Sequence, residues 1–246
     1  MFLKLIILLI TINIEFSYKK MILSGLHPLI AFRLIKFIRF KKPIYPAIFV
    51  GSLIPDLDII FISLPNKYAS DAVSLSLNKG LNVFCEKPPG RTLKDIERMR
   101  DCEAANPGTK LMFGFNHRFH PGVMRAKSII DSGRMGIIVA LRGLYGKSGG
   151  KNYAQSWRND FSVSGGGILL DQGIHMLDLF NFFLGGFSSA KSFLSNGHRG
   201  FDVEDNAMVI LKNECNQMAV LHSSATFWKH MFQLNVILFP GTAPEG

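Results

Sequence analysis

The sequence lacks a Gly-x-Gly-x-x-Gly loop: within the first fifty residues Gly25 stands alone, and the next glycine is Gly51. Such a loop lets the backbone approach a pyrophosphate while a helix N-terminus supplies N–H donors, so the start of this chain offers no obvious cradle of that kind. Cysteine is scarce too. Cys85, Cys102 and Cys215 include no Cys-x-x-Cys pair, and an odd number cannot all pair internally, which argues for a reducing compartment and against structural zinc. No long apolar run is present either. Leu5–Ile14 is shorter than the roughly 20 residues of a membrane helix, so no stable membrane span is expected. Its length suits a signal-peptide core, which would make the chain secreted. No Ala-x-Ala-like cleavage site follows, and a buried first strand or non-native sequence are the alternatives.

What is present is basic and apolar. The 246 residues are 48% hydrophobic and 19% charged, with a net charge of +10, which is enough apolar material for one large or two small cores. The charge is uneven: residues 1–50 hold eight Lys and Arg against Glu15 alone, leaving +3 for the rest. A nucleic-acid footprint belongs on the folded body, so no nucleic-acid partner is expected. The basic stretch from Ile22 to Val50 reads as a solvated helix face, with a membrane-surface helix as the other reading.

From Asp56 onward the pattern changes. Asp58–Leu64 is a continuous apolar run that predicts a buried parallel strand ending at Pro65-Asn66. Tyr68–Lys79 predicts a helix stopped by Gly80, Asn82–Cys85 a strand, Arg91–Ala105 a helix capped by Thr92, and Lys110–Phe115 a third strand. Strand–helix alternation is the signature of a doubly wound parallel sheet, in which ligands bind beyond the carboxyl ends of the strands. Polar residues fall at three such ends: Pro65-Asn66, Glu86-Lys87-Pro88 and Asn116-His117-Arg118. Further on, Pro121–Ser132 predicts a helix and Ile137–Tyr145 a strand. Gly146–Ser164 is a loop holding Trp157 and Arg158, and Ile168–Phe183 is a helix-forming run after three glycines. Ala190–Leu194, Asn206–Leu211, Gln217–Ala225 and Phe232–Leu238 predict strands.

Asp171, His175 and Asp178 stand at i, i+4 and i+7, which on a helix brings a carboxylate and an imidazole to one face. The ordinary pKa of an imidazole suits proton exchange near neutral pH. The plain alternatives are a core histidine at 175 and a structural carboxylate at 178 bonded to nearby backbone. Gly165–Gly167 would let the backbone pack closely against a ligand. His117, His120 and His222 show no metal-ligand spacing, and no metal site is expected.

The segments NVFCEKP and SGGGILLDQGIHMLDLFNFFLG resemble two hallmarks of the glucose–fructose oxidoreductase / inositol dehydrogenase / rhizopine-catabolism (Gfo/Idh/MocA) family. GFNHRFHP and SWRND fit the same family in order and spacing, so the resemblance runs from about Asp56 to about Phe239. It implies an α/β protein. An incomplete Rossmann-like parallel-sheet domain over residues 1–115, atypical over 1–55, would precede an α+β domain over 116–246 with an open, mainly antiparallel sheet.

The resemblance also implies NAD or NADP as cofactor, and hydride transfer to or from a secondary alcohol of a sugar, sugar nucleotide or cyclitol. By that pattern His175 is the general acid/base. Asp171 assists it or binds substrate hydroxyls, and Lys87 supplies positive charge beside the reacting hydroxyl and the nicotinamide. Pro65, Asn66, Glu86, Lys87, Pro88 and Asn116 line the cofactor, and Arg118, Trp157, Arg158 and Asp171 the substrate. The family also implies a cytoplasmic homo-oligomer built through the C-terminal sheet.

The departures are specific. Ala69 stands where many relatives have a histidine, the glycine fingerprint is missing, and the C-terminal sheet is short. Weak or absent cofactor binding is therefore expected of this polypeptide alone. The composition change at both ends suggests frame disruption or truncation there. A decayed family member that acts only in binding or oligomerisation is the competing expectation.

Overall fold

The computed structural model describes residues 59–148, 153–197 and 200–240, and these fall into two compact units, residues 59–114 and residues 115–240. The expectations for Leu5–Ile14, for Ile22 to Val50 and for the tail beyond residue 240 lie outside the described residues.

The first unit runs β1 (Ile59–Ile62), α1 (Asn66–Leu77), β2 (Asn82–Cys85), α2 (Leu93–Ala105) and β3 (Leu111–Phe113). The strands form a parallel sheet in the order β1-β2-β3, with Ile60 opposite Val83 and Phe84 opposite Met112. Pro65 cannot donate to a ladder; it opens α1 instead, accepting a hydrogen bond from the Tyr68 N–H at 2.9 Å. Ala69, Ala72, Val73 and Leu77 form the buried stripe of α1 at three- and four-residue spacing. Gly80, at φ 76°, closes the turn beyond the helix. A capping box starts α2: the Asp95 N–H donates to Thr92 Oγ1 (3.2 Å) and the Thr92 N–H donates to Asp95 Oδ2 (3.0 Å). Ile62, Val83, Cys85 and Leu111 lie on one sheet face and are buried. Phe61 lies on the other, 41% exposed, its ring 5.5 Å from that of Phe84. The apolar run predicts burial of both faces; among the described residues β1 is an outer strand, and only the helix-bearing face is closed.

The second unit opens with a 3-10 turn, Asn116–Phe119, followed by α3 (Pro121–Asp131) and β4 (Ile137–Gly146). Residues 153–164 contain two more 3-10 turns, Tyr153–Gln155 and Trp157–Asn159, and a short helix α4 (Phe161–Ser164). A π turn, Leu169–Gly173, runs into α5 (Ile174–Leu184). Then come β5 (Ser189–Ser195), β6 (Asn206–Lys212), β7 (Met218–Ser224) and β8 (Met231–Phe239). The five strands are ordered β5-β6-β7-β4-β8, all neighbours antiparallel except β7 and β4.

Alternation along β6 shows how the sheet is used: Ala207, Val209 and Leu211 are buried while Met208 and Ile210 are exposed. The buried face forms one core with Met176, Leu177 and Phe180 of α5, joined by Leu141 and Leu221. The opposite face is also apolar. Phe193 is 85% exposed, and Met208, Ile210, Met218 and Val220 are exposed beside it. Among the described residues no helix is long and apolar enough to cross a membrane.

Candidate functional site

Each unit carries part of the residue set that the sequence singles out. In the first unit, the Glu86 N–H donates to the Ile62 carbonyl (2.8 Å) and the Gly114 N–H to the Cys85 carbonyl (2.9 Å). The parallel ladder thus continues one step past the strands, and Glu86 emerges at their carboxyl ends. Its carboxylate lies over Gly114, where a Cβ would come within 3.1 Å of Oε2. Burial, with the Glu86 charge adding, pushes the Cys85 thiol up to about 12. Lys87 follows half-buried and Pro88 is buried, joined by a cis peptide bond. Pro65 and Asn66 start α1, Asn66 being buried. These five residues lie at the carboxyl ends of β1 and β2, the sheet edge where doubly wound folds take dinucleotides. The β1–α1 junction carries Pro65 rather than a glycine turn.

In the second unit, Asn116 is exposed and opens the turn that presents His117 and Arg118 to α5. The His117 and His175 rings are 4.1 Å apart, and Tyr145 lies 5.7 Å from His117 and 6.3 Å from His175. His175 is 6% exposed. Burial, reinforced by the charge of Asp171, pushes the Tyr145 phenol above its usual range. Arg118 engages Asp178 through Nε to Oδ2 (2.7 Å) and Nη2 to Oδ1 (2.6 Å). Burial raises the Asp178 carboxyl above the ordinary carboxylate range, and the Arg118 contacts offset only part of that. The sequence alternative for Asp178 was a backbone partner; the structure gives it a side-chain cation.

Asp171 sits in the π turn, where one extra residue interrupts the α spacing. Lys147 Nζ donates to its Oδ2 (2.7 Å), Gln172 Nε2 to the same oxygen (3.1 Å), and Arg158 Nε to Oδ1 (3.3 Å). The Lys147 ammonium also lies 4.6 Å from the centre of the Tyr153 ring, and the Arg158 guanidinium lies 4.5 Å from that of Trp157. The structure therefore gathers Asp171, Arg158 and Trp157 into one cluster, while His175 and Asp178 follow on the next turns of the same segment, where Arg118 reaches Asp178 from the Asn116–Phe119 turn.

Lys147, Tyr145 and His117 belong to this site and were not assigned roles from the sequence. Lys147 and Asp171 are 24 residues apart, so no local pattern could pair them. Gly167, the last of the three glycines, has a close neighbour within the protein. A Cβ on Gly167 would lie 2.0 Å from the Glu204 carbonyl oxygen, so this glycine admits protein backbone rather than a ligand. Glu204 in turn accepts hydrogen bonds from the N–H groups of Gly167 (2.8 Å) and Leu169 (3.1 Å), anchoring the start of the segment that carries Asp171 and His175. Among the described residues no group of three or more His, Cys, Asp or Glu is placed to hold a metal.

Comparison with known proteins assigns both halves. The family described as "Oxidoreductase family, NAD-binding Rossmann fold" matches residues 50–115, and the GFO/IDH/MocA C-terminal domain matches residues 123–242. Levoglucosan dehydrogenase of Pseudarthrobacter phenanthrenivorans is 32% identical over 143 residues, 57% of this chain and 36% of that protein. Inositol 2-dehydrogenase of Rhizobium meliloti is 28% identical over 176 residues, 69% of this chain and 51% of that protein. The solved structure of levoglucosan dehydrogenase in complex with NADH superposes with a TM-score of 0.69 at 26% identity, covering 74% of this chain and 52% of that one. The chain thus spans about half or less of the length of these relatives. With the two family matches covering most of its residues in the order of the family's two domains, the chain belongs to the Gfo/Idh/MocA oxidoreductases.

Proposed function

We propose that this chain serves hydride transfer between NAD or NADP and a secondary alcohol of a sugar, sugar nucleotide or cyclitol, with His175 as the proton-transfer group. The observation that carries the reading is the buried His175 imidazole, ring to ring with His117 and beside Tyr145. Imidazole is the side chain that exchanges protons near neutrality, whereas the Tyr145 phenol, raised by burial and by Asp171, stays protonated there and can only donate. His175 takes the hydroxyl proton during alcohol oxidation and returns it during reduction. When bound, the nicotinamide supplies the hydride acceptor or donor. Lys87, at the carboxyl end of β2, provides positive charge for a developing alkoxide. Pro65, Asn66, Glu86, Pro88 and Asn116 are assigned to the cofactor side; Arg118, Trp157, Arg158 and Asp171 are assigned to the substrate side. Residues 1–115 and 116–246 are taken as the two domains of this machinery, in a cytoplasmic protein. The levoglucosan and inositol dehydrogenases among the relatives support the substrate class.

The test is turnover of NAD and NADP with a panel of sugars and cyclitols, wild type against His175→Ala. The variant should lose about 10²- to 10⁴-fold in turnover; equal rates overturn the assignment. Nicotinamide fluorescence of the same protein titrated with NADH measures cofactor affinity. Weak binding is the expectation in the absence of a glycine loop, and tight saturable binding refutes it.

A second reading, assembly through the C-terminal sheet, is favoured by its exposed apolar face. Phe193, Met208, Ile210, Met218 and Val220 lie on adjacent strands of that face, and a contiguous exposed patch of this kind marks an interaction surface. A homo-oligomer formed there is dissociated by Ile210→Lys in light scattering; an unchanged mass overturns it.

A further inference from the structure

Arg158 is held at two points and unused at a third. Its guanidinium stacks on Trp157, 4.5 Å from the ring centre, and its Nε donates to Asp171 Oδ1 at 3.3 Å. Nη1 and Nη2 have no hydrogen-bond partner among the described residues, and the side chain is 45% exposed. A guanidinium fixed by stacking and by its Nε presents the Nη1/Nη2 edge as a ready fork, the geometry that recognises a carboxylate or phosphate with two parallel hydrogen bonds. Asp171 does not cancel that charge. Lys147, with its side chain only 16% exposed, already takes Oδ2 at 2.7 Å, so one carboxylate faces two cations and the outer cation is in excess.

We infer that Arg158 binds an oxyanion on the substrate, which makes the substrate an acidic sugar, bearing a carboxylate or a phosphate, rather than a neutral polyol. This deepens the hydride-transfer reading above and rests on it for the word substrate. Lys147 is the positioning residue: by holding Asp171 it fixes the carboxylate that orients the Arg158 fork.

Trp157 is a built-in reporter, since it touches the guanidinium and only one other tryptophan, Trp228, is present. In the full chain carrying Trp228→Phe, tryptophan fluorescence is followed during titration with glucuronate, glucose 6-phosphate and glucose, with acetate and inorganic phosphate as anion controls. At least one acidic sugar should bind about tenfold or more tighter than glucose, and the stronger of the two says whether the oxyanion is carboxylate or phosphate. Arg158→Gln should abolish the preference, and Arg158→Lys should restore only part of it, because an ammonium keeps charge without the fork. Equal binding of glucose, binding by the bare anions alone, or a preference that survives Arg158→Gln overturns the inference. Acidic-sugar binding without any turnover sinks the hydride-transfer reading and leaves this one standing, whereas turnover indifferent to sugar charge does the reverse.

Discussion

Arg118 and Asp178 form a two-pronged ion pair between the turn after β3 and the middle of α5, with Asp178 almost fully enclosed. Enclosure makes the pair asymmetric in its consequences. Removing the cation strands a buried carboxylate, and Arg118→Met should cost about 3 kcal/mol in urea unfolding. Replacing both partners with apolar residues, Arg118→Met with Asp178→Leu, should recover most of that loss. A double variant as unstable as the single one would show that the pair is worth more than the burial of its carboxylate.

Glu204 sets a pH dependence of defined sign. Burial raises its carboxyl above the ordinary range, and the Gly167 and Leu169 N–H groups compensate only in part. A folded-state pKa above the unfolded one means that the folded chain holds the proton longer. The stability tied to that proton is complete below the ordinary carboxylate range and is lost as pH rises through the raised value. Denaturation midpoints measured across that interval should therefore fall in the wild type relative to Glu204→Gln. Parallel curves would contradict the assignment.

Gly167 should tolerate no side chain. The Cβ of an alanine would lie 2.0 Å from a backbone oxygen, which no rotamer change relieves, so Gly167→Ala should cost about 3 kcal/mol. Gly186, with nothing within 4 Å of its would-be Cβ, is the control, and its alanine variant should stay within about 0.5 kcal/mol of the wild type. Equal melting temperatures for the two variants would refute this account of the turn.

The thiols should react in an order set by burial. Cys215 is exposed, and Cys85 is buried with its thiol raised to about 12. Since the thiolate is the nucleophile, iodoacetamide at neutral pH should label Cys215 in the native protein and Cys85 only after unfolding. Mass spectrometry of the labelled peptides reads the order directly, and native labelling of Cys85 would disprove it.

What the sequence disclosed follows from how local each feature is. Asn82–Cys85 and the capped helix after Thr92 depend on neighbours within a few residues, and the structure has them at the expected places. The period-two strands of the C-terminal half are equally legible, each within a residue or two of the expected bounds. The π turn under Asp171 is not, because nothing in LLDQG distinguishes it from an ordinary helical turn. The charge network around Asp171 is also hidden: Lys147 and Arg158 meet it from 24 and 13 residues away. Gly167 was recognisable as a close-packing residue, but only the fold says that its neighbour is Glu204.

The strand order has a consequence for how such a chain emerges from the ribosome. Among the described strands of its sheet β4 is the first to be synthesised, yet it lies between β7 and β8, the last two of them. Its backbone donors and acceptors must wait for some seventy further residues before either neighbour exists, whereas β1, β2 and β3 pair in the order in which they are made. Nascent-chain assembly is therefore sequential in the first unit and deferred in the second, where distant pairing makes closure slow and leaves the edges of β4 open to wrong partners until β7 and β8 have been made.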